Sequence, residues 1–427
     1  MLLRLDGRRK RLLVATLVTF AFLFACAAAL RPWIAQWELS GTPPDRAARR
    51  ALSLDPGNDR YQALLATIYH YGLLLRNYST ALAYYHSALR SNPLDSASWL
   101  QLGKLFRRLD RQAEADRALR MALQLGPSNA TILWEASVAY LENEQLSEAL
   151  GTLARFISFS QQLDDKVKGY DLARRLVPPG EVLERFIPPG VTHYAHYATY
   201  LLDRNMGEEA VRVWDRLNRL GPEARLQIDP NLQLRFIDLF ISSGRFGPAY
   251  ALWTDVSRRL DPNAASSRSN LVSNASFERG QTLGKGFDWR IASPPGFSCD
   301  VDPFTAYAGL RSLRISFSQT REDFSSVSQV VRVQPDATYR LEAHIKTRGL
   351  HGSRGVALEI LDPHKGLLAR TEMIGGTKDW TNVGVTFRTM GHSEIVTLRI
   401  RSEPPPGHLL PVAGTAWIDK VSIVKAQ

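Results

Sequence analysis

Residues Ser96–Pro127 read SASWLQLGKLFRRLDRQAEADRALRMALQLGP. Trp99, Leu102, Gly103 and Phe106 recur at helical spacing and share one face of a first helix. After a short polar turn, Ala115, Leu119 and Ala122 share one face of a second. Small side chains at Gly103, Ala115 and Ala122 let the two helices approach closely, while the larger ones fill the seam between them. Pro127 closes the unit because it has no N–H to continue a helix. Pro93 closes a preceding unit thirty-four residues earlier. The spacing therefore predicts antiparallel helical hairpins repeated along the chain.

The register extends both ways. Ala81, Tyr85, Ala88 and Pro93 occupy second-helix positions of an earlier unit, whose first helix lies around Tyr61–Leu74. Ala51 and Asp55-Pro56 read as the tail of a still earlier, incomplete one. Forwards, Tyr140, Ala149 and Leu153 keep the pattern. It then breaks where Val177-Pro178-Pro179-Gly180 and Ile187-Pro188-Pro189-Gly190 bracket a short helical piece. Two further, degenerate units follow, with Ala210 and Trp214 and with Gly244, Ala249 and Trp253. Five hairpins are expected over residues 31–260, interrupted around 165–190.

At nearly every signature position this pattern resembles the tetratricopeptide repeat (TPR), a helix–turn–helix of the same period. The resemblance implies a superhelical solenoid whose first helices line a groove for a protein partner. Groove-facing positions carried over from the family are Leu100, Lys104, Arg107 and Trp134. The two cations could hold a carboxylate or acidic peptide, with Trp134 packing on it, although basic residues on a helix are also ordinary solvated ones.

The net charge of +11 is unevenly spread. Residues 1–50 hold nine Lys/Arg against three Asp/Glu, whereas residues 51–269 hold 25 against 24. The excess flanks an apolar run, which argues against a nucleic-acid partner. Leu12–Leu30 is an uncharged stretch of nineteen residues, near the ~20 that a helix needs to span a bilayer. Arg4, Arg8, Arg9, Lys10 and Arg11 precede it, so residues 1–11 form a basic flank. The expectation is a bacterial single-pass membrane protein with a cytoplasmic N-terminus and its bulk periplasmic or extracellular. A cleaved signal peptide, a lipidated Cys26 and a buried helix stay open as alternatives. Cys26 and Cys299 are the two cysteines, and no CxxC pair suggests zinc.

Asp261–Ser269 is small, polar and proline-containing and reads as a linker. Beyond it the hydrophobic period changes from about 3.6 to 2. Leu313/Ile315/Phe317, Tyr339/Leu341/Ala343/Ile345, Val356/Leu358/Ile360, Val383/Val385/Phe387 and Val396/Leu398/Ile400 each alternate with polar neighbours. Many short strands separated by Gly/Pro clusters predict an antiparallel β-sandwich over 270–427. The fold class is thus multidomain, all-α repeats followed by a β-sandwich, with residues 12–30 as a transmembrane helix.

Asn270–Glu278 (NLVSNASFE) resembles the opening strand of jelly-roll carbohydrate-binding modules, which share the galactose-binding-like fold. Landmarks follow in matching order: Gly286 and Trp289, Ala306–Leu313, Gln329–Val333, Asp379-Trp380-Thr381 and Gly414–Val421. The resemblance implies glycan binding by exposed rings, for which the loop aromatics Trp289, Phe297, Phe304 and Tyr307 are candidates, or else plugs at the sandwich end. Trp380 and Trp417 are placed in the core. It also implies a possible structural calcium at Glu278 and Asp419, although Lys420 stands where the family often has a second acid.

No HExxH, P-loop, GxSxG or dinucleotide motif is present. Alternation sets Glu342 and Glu359 on solvent faces, so no pair of catalytic carboxylates emerges. The expectation is a non-catalytic envelope protein whose repeats dock a protein and whose sandwich binds a glycan, serving exopolysaccharide or cell-wall assembly. The alternatives are a protein-interaction scaffold with a purely structural sandwich and, behind it, a glycan-active enzyme.

Overall fold

A computed structural model describes residues 16–22, 25, 30–31, 34–37, 44–260, 269–320, 322–404 and 411–426. The chain folds as two compact units, Met1–Pro189 and Gly190–Gln427. In the first, a helix at Pro44–Leu54 precedes hairpins Asp59–Tyr71/Tyr78–Ser91, Ser96–Arg108/Gln112–Leu125 and Ala130–Glu142/Leu146–Phe159. Each first helix begins at a side-chain cap, Asn58, Asp95 or Asn129, whose oxygen accepts from backbone N–H groups that would otherwise lack partners. A Cβ on Gly103 would sit 3.0 Å from Leu119 and 3.3 Å from the Ala115 carbonyl. That is the close helix approach expected from the small residues. Trp99 Nε1 donates to the Pro93 carbonyl at 2.8 Å, tying the unit closed by Pro93 to the next. The interruption holds two more helices, Leu163–Leu176 and Pro179–Phe186, the second starting on the proline pair.

The expected membrane anchor is overturned. Of residues 12–30 the structure describes 16–22, 25 and 30. No helix among the described residues is long and apolar enough to cross a membrane. Single-pass anchorage, and the membrane localisation built on it, is therefore not supported. Cys26 and residues 1–15 lie outside the described residues, as does the expected linker apart from its last residue.

The second unit begins with hairpins Val191–Asp203/Gly207–Arg219 and Pro230–Ser242/Phe246–Leu260, joined by a short helix at Pro222–Leu226. Trp214 packs on Phe236 with ring centres 4.6 Å apart. Two five-stranded antiparallel sheets follow, in the orders β1-β4-β9-β6-β7 and β2-β3-β10-β5-β8. Their strands are β1 Arg290–Ile291, β2 Phe297–Asp302, β3 Ser312–Thr320, β4 Phe324–Arg332, β5 Thr338–His351, β6 Val356–Asp362, β7 Gly366–Arg370, β8 Gly376–Arg388, β9 Ile395–Ser402 and β10 Val412–Lys425. Alternate residues enter the core between the sheets, among them Leu313, Ile315, Leu341, Ile345, Leu358, Ile360, Leu398 and Ile400. Asn270–Glu278 forms turns beside β10 instead of the expected opening strand. Its Asn270 side chain donates to the Val421 carbonyl and accepts from Ile423 N–H.

The last helical hairpin and the sandwich share a packed boundary. Phe287 lies edge-on to Tyr250 at 5.4 Å and against Trp253 at 6.2 Å. Asp238 Oδ1 accepts from Gly286 N–H at 2.8 Å and from Arg290 Nη2 at 2.9 Å. Gly286 has φ +60°, and a Cβ there would meet Trp253 at 3.0 Å, so glycine is needed for both conformation and room.

Candidate functional site

Because side chains alternate across a strand, the residues of β2-β3-β10-β5-β8 that leave the core form one outer face. Ala343 and Ile345 point inward, which turns His344 outward, and register sets it opposite Asp419 on β10 and Asn382 on β8. The Tyr307 ring stacks on His344 with centres 3.6 Å apart and planes 15° from parallel. Trp380 stands edge-on to the same tyrosine at 5.9 Å. Tyr307 is 44% exposed, Trp380 half-buried and Asn382 exposed, so the cluster presents ring surface beside an amide. Lys346 pairs with Asp379 at 2.9 Å, and Arg314 donates through Nε to Asp300 at 2.9 Å. Trp417 lies on this face too, but its Nε1 donates to Asp302 at 2.7 Å and the Arg348 guanidinium covers its ring.

The loop between β2 and β3 carries Phe304, Tyr307 and Leu310, and three carboxylates hold its backbone. Asp302 accepts from Phe304 N–H at 2.8 Å. Asp419 Oδ2 accepts from Tyr307 N–H at 2.8 Å and Ala308 N–H at 3.0 Å. Glu278 Oε1 accepts from Leu310 N–H at 2.8 Å and Arg311 N–H at 3.1 Å. Gly309 sits between them at φ +79°, and a Cβ there would collide with the Glu278 carboxylate. Burial pushes the Asp419 carboxyl above its ordinary pKa, although the N–H groups of Ala308, Tyr307 and Lys420 favour its charged form. Burial, with Lys420 nearby, lowers the His344 pKa, which favours a neutral ring under Tyr307. The loop is thus a fixed platform for its exposed rings.

The expected ring set is only partly realised. Trp289 is 0% exposed, donates to the Asn274 carbonyl and packs on Phe277. Phe297 is likewise core, against Phe317 and Phe324. Both are unavailable to a ligand, since Trp289, just before β1, and Phe297, the first residue of β2, point into the core. Phe304 is 92% exposed, and Tyr307 belongs to the cluster. His344 and Trp380, left out or placed in the core by the sequence reading, complete it. Strand parity carried the signal: with Val383 inward, Asn382 and Trp380, one and three residues before it, are outward. Trp417 is buried as expected, though by cover on the outer face.

Glu278 and Asp419 do not make a calcium site. Their oxygens face backbone N–H donors, and Arg311 donates to the Glu278 carbonyl at 2.6 Å. Among the described residues no group of three His, Cys, Asp or Glu side chains could hold a metal ion. Two carboxylates, three of whose oxygens already accept backbone N–H groups, fall short of the six to eight oxygens that calcium takes. Glu359 departs from its expected solvated state. It lies on an outer face but is 0% exposed, clasped by Arg370 and Arg399.

In the repeats, Leu100 is buried in the core rather than lining a groove. Lys104 pairs with Glu135. Arg107 donates to the Ala139 carbonyl at 2.8 Å and to that of Glu142, capping the C-terminal end of its neighbouring helix. Trp134 is half-buried against Phe156. The two cations expected to meet an acidic peptide are spent on the following repeat.

Comparison with known proteins bears on the sandwich. Residues 269–407 match a family model described as a carbohydrate binding domain. The C-terminal sandwich is therefore similar to carbohydrate-binding domains over those residues. A solved structure of TmCBM61 in complex with β-1,4-galactotriose is 18% identical, covering 38% of this chain and 100% of that one, with a TM-score of 0.28. A family 16 carbohydrate binding module-2 is 19% identical over 36% of this chain and 99% of that one, TM-score 0.27. A structure from the functional characterization of Pseudomonas aeruginosa pilF is 17% identical, covering 56% of this chain and 93% of that one, TM-score 0.25. Among curated proteins, the tRNA(Glu)-specific nuclease WapA of Bacillus subtilis subsp. natto is 24% identical over 173 residues. The chain spans 7% of that relative's length.

Proposed function

We propose that the protein is a non-catalytic glycan-binding adaptor. Its carbohydrate-binding domain takes a sugar chain on the outer face of β2-β3-β10-β5-β8, and its helical repeats engage a protein partner. The observation that supports this reading most is the Tyr307–His344–Trp380 cluster on a loop fixed by buried carboxylates. A pyranose ring has an apolar C–H face that stacks on such rings, while its rim hydroxyls can bond Asn382, Lys346 and Asp379. Fixing the loop beforehand reduces the ordering cost of binding. Polysaccharide assembly is the process such an adaptor would serve.

Glycan-array and affinity-gel binding of the full chain test it. Tyr307→Ala removes a stacking partner worth about 1 kcal/mol, so retention should fall about fivefold, and Tyr307→Ala with Trp380→Ala should abolish it. A chain that binds no polysaccharide, or whose double variant binds as well as the parent, refutes the proposal. Release of reducing sugar from a bound polysaccharide would overturn its non-catalytic part.

A further inference from the structure

The opposite sheet carries a second polar surface. Across its outer face Ser328 on β4, Arg399 on β9, Glu359 on β6 and Arg370 on β7 stand in one register row. Val330, Thr397 and Leu361 form the next row. A cavity of about 300 Å³ opens over them, lined by Ser325, Ser328, Thr397, Arg399, Leu361 and Pro363, with Asp362 in its wall.

The groups lining it divide into spent and unspent. Asp362 accepts from His364 N–H at 2.9 Å, Lys365 N–H at 3.0 Å and the Ser393 hydroxyl, so both its oxygens are occupied. Arg399 gives Nε and one Nη to Glu359, leaving its other Nη edge without a partner among the described residues. The hydroxyls of Ser325, Ser328 and Thr397 likewise make no hydrogen bond among the described residues. Serine is a poor strand former. Here a register shift between Phe324 and Val327 sets two serines of β4 where β9 supplies one residue, and such bulges re-aim side chains beside binding sites. Neither packing nor internal bonding accounts for these serines.

We propose that this cavity is a second saccharide site, selective for a sugar residue bearing a carboxylate. The guanidinium edge of Arg399 takes the carboxylate, for which its fork geometry is suited. The three hydroxyls exchange hydrogen bonds with ring hydroxyls, and Leu361 and Pro363 meet the C–H face. Two sites on opposite sheets would let one domain bridge two chains or two segments of an acidic polysaccharide. The inference rests on the glycan-binding reading of this domain, but it uses different residues.

Calorimetric titration of the full chain with oligogalacturonate, and with the neutral oligogalactan as control, separates the two sites. The expected result is uronate binding that survives Tyr307→Ala with Trp380→Ala and falls at least tenfold in Ser328→Trp, which fills the cavity. Should that variant misfold by circular dichroism, Ser328→Ala with Thr397→Val removes two hydroxyls at nearly constant volume and should weaken uronate binding severalfold. Uronate binding that is absent from the parent, or unchanged in both cavity variants, overturns the inference. Neutral-glycan binding lost through Tyr307 and Trp380 while uronates never bind would overturn this site and leave the first intact. The converse pattern would overturn only the first.

Discussion

The two outer faces of the sandwich start from the same rule and end differently. In both sheets alternate residues enter one core, and the others leave it. On β2-β3-β10-β5-β8 the outward set keeps rings in reach of solvent, Tyr307 on His344 with Trp380 beside them. Its buried acids, Asp302 and Asp419, are turned to backbone N–H groups of a loop. On β4-β9-β6-β7 the charged residues of the outward set pair with one another. Glu359 bridges Arg399 and Arg370, and Arg370 continues to Glu403. Strand parity decides which side chains leave the core. Pairing among those side chains decides which remain free to meet a ligand.

The strongest way to break that contrast is to remove Glu359. Its carboxylate has no solvent, so Glu359→Ala strands two guanidinium groups that are about a third exposed. Breaking a buried ion pair typically costs 3–5 kcal/mol, and partial exposure puts the expected loss near 3 kcal/mol. Urea unfolding followed by amide protection on β6 and β9 measures it. Replacing all three members by apolar residues should recover most of the loss, since a buried pair is weak evidence for net stability. A cost below about 1 kcal/mol would mean that this face is solvated, not self-paired.

On the ring-bearing face the corresponding acid is Asp419. Asp419→Ala leaves the Tyr307 and Ala308 N–H groups without their acceptor, a loss of about 2 kcal/mol once water partly replaces it. The readout that distinguishes positioning from mere stability is the loop itself. Hydrogen exchange at Tyr307 and Ala308 should accelerate while β5 and β10 core amides keep their relative protection. Glycan retention should fall with it. Uniform acceleration across the sandwich would show Asp419 to be a core residue and nothing more.

Much of this architecture was legible in residue patterns. Period 3.6 with proline punctuation marked the hairpins, and period 2 marked β3, β5, β6, β8 and β9. The site was less so. Trp289 and Phe297 read like exposed loop rings because sequence shows that they flank turns, not that the residue before β1 and the first residue of β2 point into the core. Lys104 and Arg107 read as free cations because their partners, Glu135 and the Ala139 carbonyl, lie a whole repeat away. His344 became visible only when register set it opposite Asp419 and Asn382. Residues 12–30 have the composition of a span, but no helix among the described residues is long and apolar enough to cross a membrane.

The smallest expected effect concerns pH, and it separates the faces by where they respond. His344 is faced by Tyr307, Lys420, Asp419 and Glu342, and burial with Lys420 lowers its pKa below the unfolded value near 6.5. The unfolded chain then binds the proton more readily. Its contribution is complete above about pH 6.5 and declines as pH falls toward the folded value. Asp362, on the other sheet, has its carboxyl held low by Ser393, His364 N–H and Lys365 N–H against the cost of burial. Its contribution persists until pH falls below about 4. As pH falls from 6.5 toward the lowered pKa of His344, its ring gains a proton and glycan retention through Tyr307 should weaken, and His344→Gln should flatten that slope. Oligogalacturonate binding at the opposite cavity should hold steady over the same interval. Parallel loss at both faces, or a slope unchanged in His344→Gln, would assign the pH response to something other than the ring stack.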